Sequence, residues 1–223
     1  MPDPLEPRCR LVLVRHGQTP CTVDGLFCGS HDAALSSVGE RMTEALARHP
    51  ALAGVELLLT SPALRARQTA RAISRASGLD PQVDDRLREL SFGAWENLRP
   101  AEVPDPAAHR RWVRDPAYFA PPGGETGLQV QARVLDLVRD ATAGRSAVAV
   151  VTHKAPIRLI VAFFLGMPAS RYRDIGVVSV GSVTELTIGA GRGDVRVLGD
   201  VTHLPQPWRR DPDRAADVLA AAG

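Results

Sequence analysis

Lysine is almost missing from this chain: among 27 basic residues Lys154 is the only one that is not arginine. Cysteine is scarce too. Cys9, Cys21 and Cys28 form an odd set with no CxxC spacing, which argues against a disulfide framework and a cysteine-rich zinc site. Acids and bases nearly cancel to a net charge of +2, so wholesale attraction to nucleic acid or a membrane surface is not expected. The longest apolar run, Leu159 to Leu165, is too short to span a bilayer. Met1 to Arg10 holds acids and prolines and no long apolar stretch, so it does not read as a secretory signal. The expectation is a reduced, cytoplasmic protein. What remains is ordinary globular composition, 44% hydrophobic and 23% charged over 223 residues, enough for one domain with a proper core.

Leu11-Val12-Leu13-Val14 is an apolar, partly β-branched run, too short for a typical helix, and reads as a buried strand. It stops at Arg15-His16-Gly17. In open α/β sheets ligands bind beyond the carboxyl ends of the strands, which puts Arg15 and His16 at the edge of a site. Thr19 to His31 reads as a loop. Ser36 or Ser37 caps a helix that stops before Pro50, and Val55 to Leu59 is a second strand. A helical run from Ala63 to near Gly78 then places Arg65 in a first turn, where the helix field favours anions. Gln82 to Asp84 is a short strand; Asn97 to Gly124 is a proline-rich lid with at most a short helix near His109 to Val113. Thr126 to Ala143 has helical spacing, and Ala147 to Val151 is a third buried strand ending in Thr152-His153-Lys154. An apolar helix over Pro156 to Leu165 and two late strands, Val183 to Ile188 and Val195 to Leu198, complete the pattern.

Strands alternating with helices argue for a parallel or mixed sheet covered on both faces, and the expected fold is a three-layer α/β/α sandwich with a mostly parallel central sheet. Parallel neighbours bring Arg15, His16, Arg65 and His153 to one rim. Two arginines and two histidines repel unless an anion lies between them. Guanidinium forks match phosphate oxygens, and an imidazole can donate a hydrogen bond or attack. Among the carboxylates, Glu89 and Glu96 flank a Phe-Gly-Ala-Trp turn. His31, His49, His109 and His203 read as surface or structural groups, with His31, in the loop after His16, the one nearest a role.

Six segments resemble the histidine phosphatase (phosphoglycerate mutase-like) superfamily, and they occur in its order. They are Arg15-His16-Gly17, Asp32 to Gly39, Ser61-Pro62 with Arg65 to Ala70, Leu87-Arg88-Glu89 with Phe92 to Glu96, Pro122 to Thr126, and Val151-Thr152-His153. The resemblance covers residues 11–205, leaving 1–10 as a leader, 97–124 as a lid and 206–223 as a tail. It implies that His16 takes the phosphoryl group, that Arg15, Arg65 and His153 clamp its oxygens, and that Glu89, in preference to Glu96, protonates the leaving oxygen. His153 belongs to the catalytic set as well as to the clamp. No metal or other cofactor is implied. The expected partner is a small phosphorylated metabolite, without nucleic acid or membrane; the oligomeric state, a homodimer included, stays open.

Three departures mark this chain. Gln18 stands where Glu is common. Cys21 and Thr22 stand where many members carry Trp and Asn, so Thr22 is a candidate phosphate ligand through its hydroxyl. Lys154-Ala155-Pro156 replaces Gly-Gly, which makes Lys154, with Gln18, a candidate specificity residue. The function implied is a phosphomonoesterase of the phosphatase branch. The alternatives are a phosphomutase, which would use the same phosphoenzyme and usually carries a longer basic insertion after the acid than the short Asn97 to Pro122 segment with its Arg110 and Arg111, and a catalytically inactive phosphate-binding or scaffold protein.

Overall fold

A computed structural model describes residues 8–176, 178–189 and 192–212. Its frame is a six-stranded sheet in which β1 (Cys9–Arg15) and β4 (Ala147–Thr152) are central. β4 is buried along its whole length and β1 nearly so, as apolar runs without alternation require. β1 pairs in parallel with β4, Leu11 opposite Val148 and Arg15 opposite Thr152. β4 pairs in parallel with β2 (Leu57–Thr60), Thr60 opposite Val151, and β2 with β3 (Gln82–Val83). On the other side β5 (Val183–Gly189) runs antiparallel to β1, and β6 (Arg192–Asp200) antiparallel to β5. The strand order is β3-β2-β4-β1-β5-β6.

Alternation within β1 builds two cores. Leu11 and Leu13 pack with residues of α5 (Gly127–Thr142) and α6 (Lys154–Phe164) on one face. Val12 and Val14 pack with Leu46 of α2 (Ser37–Leu46) and with Ala66, Ala70 and Ile73 of α3 (Leu64–Ser77) on the other. The result is the three-layer α/β/α sandwich. Ser36 caps α2 by accepting from Gly39 N–H at 3.0 Å, an interaction worth about 1 kcal/mol. Gly39 itself has no room for a side chain, since a Cβ there would lie 2.0 Å from the Gln18 carbonyl. That close approach presses the loop after His16 onto α2.

Several boundaries differ from the sequence reading. β1 begins at Cys9, so Cys9 and Arg10 of the expected leader belong to the sheet; residues 1–7 lie outside the described chain. The loop after Thr19 contains a short helix, α1 (Pro20–Asp24), closed by a Thr19/Thr22 capping box; five residues are too few for a periodicity signal. The lid holds α4 (Pro106–Arg114), a full nine residues. α6 starts at Lys154, earlier than expected, because Pro156 falls in the first turn, where its missing N–H costs nothing. The tail up to Pro212 folds back, with the Asp211 side chain only 4% exposed. No helix among the described residues is long and apolar enough to cross a membrane.

Candidate active site

Strand register assembles the site. Because β1, β4 and β2 run parallel in step, the residues after them, His16, His153 and Ser61, leave the sheet at one rim. His16 N–H donates to the Thr152 carbonyl at 3.1 Å and Ser61 N–H to the Val151 carbonyl at 2.9 Å.

His16 is 3% exposed. Its Nδ1 lies 2.8 Å from the Gly17 carbonyl, which can only accept, so Nδ1 carries the proton and Nε2 keeps its lone pair. Burial, then the Arg65 and Arg15 charges, hold its pKa well below the usual histidine range. The ring is therefore a neutral base at neutral pH, the form a nucleophile needs. Its centroid is 5.1 Å from that of His153. His153 is wholly buried, with Nε2 2.7 Å from the Ser61 hydroxyl. That hydroxyl also accepts from Ala63 N–H at 3.3 Å, and in the tautomer where it donates its proton to His153 Nε2, His153 Nδ1 carries the N–H. Among the described residues His153 Nδ1 has no hydrogen-bond partner. Burial and the neighbouring Arg65 push the His153 pKa well down too, leaving a neutral donor.

Arg15 donates from Nη1 to the Val178 carbonyl at 2.7 Å. Arg65, 1% exposed, donates to the carbonyls of His31 (2.8 Å), Cys28 (3.1 Å) and Gly29 (3.0 Å). It thereby holds the loop over residues 28–31 to the start of α3. His16 and the three clamp residues read from the sequence thus lie together, Arg15, His16 and Arg65 lining the cleft and His153 buried behind them against the His16 ring.

Glu89 reaches the same cleft. Its carboxyl accepts from Leu90 N–H at 2.8 Å and from Lys154 and Ala155 N–H at 3.1 and 3.2 Å, at the start of α6. Burial raises its pKa, while those N–H groups, Arg65 and Arg15 oppose the rise. The net effect is a carboxyl that keeps its proton above the ordinary range. Arg133 of α5 positions it, donating to the backbone carbonyls of Arg86, Arg88 and Glu89 and pairing with Glu125 at 3.0 Å. Glu96, by contrast, accepts from Gly29, Ser30 and Phe92 N–H groups; it is a loop clasp.

Two sequence assignments need correction. Thr22 lines the cleft, but its hydroxyl proton goes to the Thr19 carbonyl at 2.8 Å while the oxygen accepts from Thr19 N–H. A hydroxyl has one proton, so none is left for a phosphate oxygen. Gln18 turns away: its side-chain carbonyl accepts from the Ser36 hydroxyl at 2.8 Å, and it is not part of the cleft wall. It fastens the start of α2. Lys154 does line the cleft. His31 is exposed and contributes only its carbonyl.

The sequence reading missed the rest of the cleft. Phe27, Phe92, His109 and Trp112 supply an aromatic lining. His109 stacks on Trp112 at an interplanar angle of 27°, and the Arg173 guanidinium lies 4.5 Å over the Trp112 ring. Arg158, 3% exposed, Tyr172 and Arg173 also face the cavity. Among the described residues no group of three or more His, Cys, Asp or Glu side chains is placed to hold a metal ion.

Residues 11–201 match the family model of the histidine phosphatase superfamily, branch 1. The chain is 40% identical over 205 residues to a bifunctional protein of Mycobacterium tuberculosis, covering 87% of this chain and 55% of that one; it spans about half the length of that relative. It is 32% identical over 223 residues to glucosyl-3-phosphoglycerate phosphatase of Mycolicibacterium vanbaalenii, covering 94% and 98% of the two. The solved structure of the mycobacterial glucosyl-3-phosphoglycerate phosphatase superposes with a TM-score of 0.78 at 30% identity, covering 86% of this chain and 99% of that one. The family match over residues 11–201 and the fold shared with a solved relative along nearly all of that relative's length agree: this chain belongs to the histidine phosphatase superfamily, branch 1.

Proposed function

We propose that this protein hydrolyses small phosphate monoesters through a phosphohistidine on His16. The observation that carries the reading is the His16 tautomer: a neutral, buried imidazole with Nε2 free, set beside Arg15 and Arg65. The Nε2 lone pair attacks phosphorus, the bond to the ester oxygen breaks, and that oxygen takes the Glu89 proton. The Glu89 carboxylate then takes a proton from water, whose oxygen attacks phosphorus as the P–N bond breaks. Arg15, Arg65 and the His153 Nδ1–H stabilise the charge on the transferring group, which in phosphoryl transfer supplies most of the catalysis. Arg110 and Arg111, the paired cations of the short lid, are exposed and not part of the cleft lining, which favours hydrolysis. The free cysteines Cys9, Cys21 and Cys28 suit a reducing compartment and a cytosolic substrate.

Phosphate release over a panel of aryl and sugar phosphates, phosphoglycerates and nucleotides tests this reading. Isomer interconversion outrunning phosphate release would replace it with a mutase. Chelator is expected to leave turnover unchanged, and vanadate to inhibit; loss on chelation with recovery on Mg²⁺ would overturn the metal-free mechanism.

Glu89→Gln separates the acid from the clamp. With an alkyl phosphate, whose leaving oxygen needs a proton, kcat/KM is expected to fall about 10²-fold. With p-nitrophenyl phosphate, a good leaving group, the loss should be much smaller. The pH dependence follows the same sign. Wild type needs Glu89 protonated, so alkyl phosphate turnover falls as pH rises through the raised Glu89 pKa. The variant should lack that limb. Equal losses on both substrates would remove Glu89 from the proton-donor role.

A further inference from the structure

The antiparallel register of β1 with β5, Val14 opposite Val183, runs on past both strand ends. Arg15 N–H donates to the Ser182 carbonyl at 3.1 Å, and Gly181 N–H donates to the His16 carbonyl at 2.9 Å. The Arg15 guanidinium reaches the same turn, from Nη1 to the Val178 carbonyl at 2.7 Å. Residues 178–182 therefore hold the backbone of the nucleophile and the side chain of its neighbour at once. His203 holds that turn from behind. Its Nε2 lies 3.1 Å from the Gly181 carbonyl, which can only accept, so Nε2 carries the proton. His203 is not part of the cleft lining. We infer that His203 is a positioning residue for phosphoryl transfer: through Gly181 it fixes where His16 and Arg15 stand. The inference rests on reading His16 as the nucleophile.

Three features support it. The first is that His203 is itself held in place. Asp200, which ends β6, accepts from Thr202 N–H at 2.7 Å, and Leu204, 1% exposed, packs with Val180 and Met42. The His49 ring meets the His203 ring edge-on at 5.0 Å. His49 is fixed in turn: its Nδ1 accepts from Ala51 N–H at 3.2 Å, so Nε2 carries the proton and donates to Asp200 at 3.1 Å. The second feature is the protonation state. Burial and then the facing His49 push the His203 pKa down to about 4, with Asp200 opposing them. The ring is thus neutral near pH 7, and its one N–H is the one that faces Gly181. The third is Gly181, whose φ of +69° lies in the left-handed region that favours glycine. Its N–H reaches His16 and its carbonyl reaches His203, so one residue passes position from the imidazole to the nucleophile. Gly181 is buried, and without the His203 donor its carbonyl would be left dry, so the turn would shift to satisfy it. A displacement of about 1 Å in a reacting group costs up to about 10²-fold in rate.

The test is single-turnover kinetics with p-nitrophenyl phosphate and enzyme in excess, where nitrophenolate release reads the transfer to His16 alone. Wild type, His203→Phe, His203→Gln and Gly181→Ala are compared, each with a melting curve. His203→Phe keeps a ring and loses the donor; the Gln amide nitrogen can stand where Nε2 stood. His203→Phe is expected to lower the limiting transfer rate about tenfold or more and to move the half-saturating concentration less than about twofold, since Arg65 and His153 still hold the phosphate. His203→Gln should restore most of the rate, whatever its Tm. Gly181→Ala strains the turn directly. A Cβ there meets Leu204 and Met42 only at 3.6 and 3.8 Å, ordinary contact, so this variant should fold and slow the transfer by a similar factor. A folded His203→Phe protein with the wild-type transfer rate, or Phe and Gln variants that are equally slow, would overturn the inference. If His203→Phe does not fold, the wild-type rate in Gly181→Ala overturns it, and slow transfer there beside a fast His203→Gln upholds it. Alkali-stable label keeps the two readings apart. Label on wild type with rates unmoved by either His203 variant sinks the positioning role alone; no label on wild type sinks the phosphohistidine and the inference with it.

Discussion

His16→Ala is expected to lower kcat by about 10³-fold or more. A nucleophile and its clamp act as a unit, so removing the attacking atom forfeits the covalent route entirely and leaves only what the cations contribute to water attack. KM should change little, because Arg15, Arg65 and the His153 N–H still hold the phosphate. The fold should survive. The His16 backbone bonds to Thr152 and Gly181 are independent of the side chain, and a melting curve checks this. Near-full activity in a folded His16→Ala protein would remove the residue from the reaction.

Arg65→Lys is expected to cost about 10³-fold in kcat/KM, close to what loss of a preorganised transition-state donor costs elsewhere. The charge is kept, so a small effect would be expected if charge alone mattered. The fork is lost, and with it the simultaneous bonds to the carbonyls of Cys28, Gly29 and His31. Those carbonyls fix the loop after the nucleophile, so stability should fall as well. Losing hydrogen bonds from a charged donor at a buried site costs about 2–3 kcal/mol, a drop in Tm of about 5–10 °C for a domain of this size. Unchanged Tm with reduced activity would separate the clamp role from the loop-holding role. Unchanged activity would refute the clamp role, and unchanged activity with unchanged Tm would refute both.

The parts of this molecule legible in the sequence are those set by local pattern. Leu11 to Val14 and Ala147 to Val151 are apolar without alternation, which only a strand covered on both faces satisfies, and the residues that end them had to share a rim. Arg65 was readable because a helix start is a local signal. Thr22 was not, because whether its hydroxyl proton is free depends on a five-residue helix with no visible period. Gln18 looked like a cleft residue through its neighbour His16, yet Ser36 draws it to α2. His109 and Arg173 are ordinary in sequence and gain meaning only through Trp112. Asp211 lies 196 positions from Arg15, and no periodicity reports a contact of that range. The register of β1, β4 and β2 was implied by pattern; the lining of the cleft, drawn from loops, the lid and the tail, was not.

The central claim is a phosphoryl group on His16 Nε2, and a rapid acid-free quench tests it most directly. Enzyme mixed with a radiolabelled phosphate monoester and stopped in alkali should carry covalent label that is stable to base, is lost in acid, and maps to the peptide containing His16. His16→Ala should carry none. Label that survives acid, or label of equal amount on His16→Ala, would contradict the account.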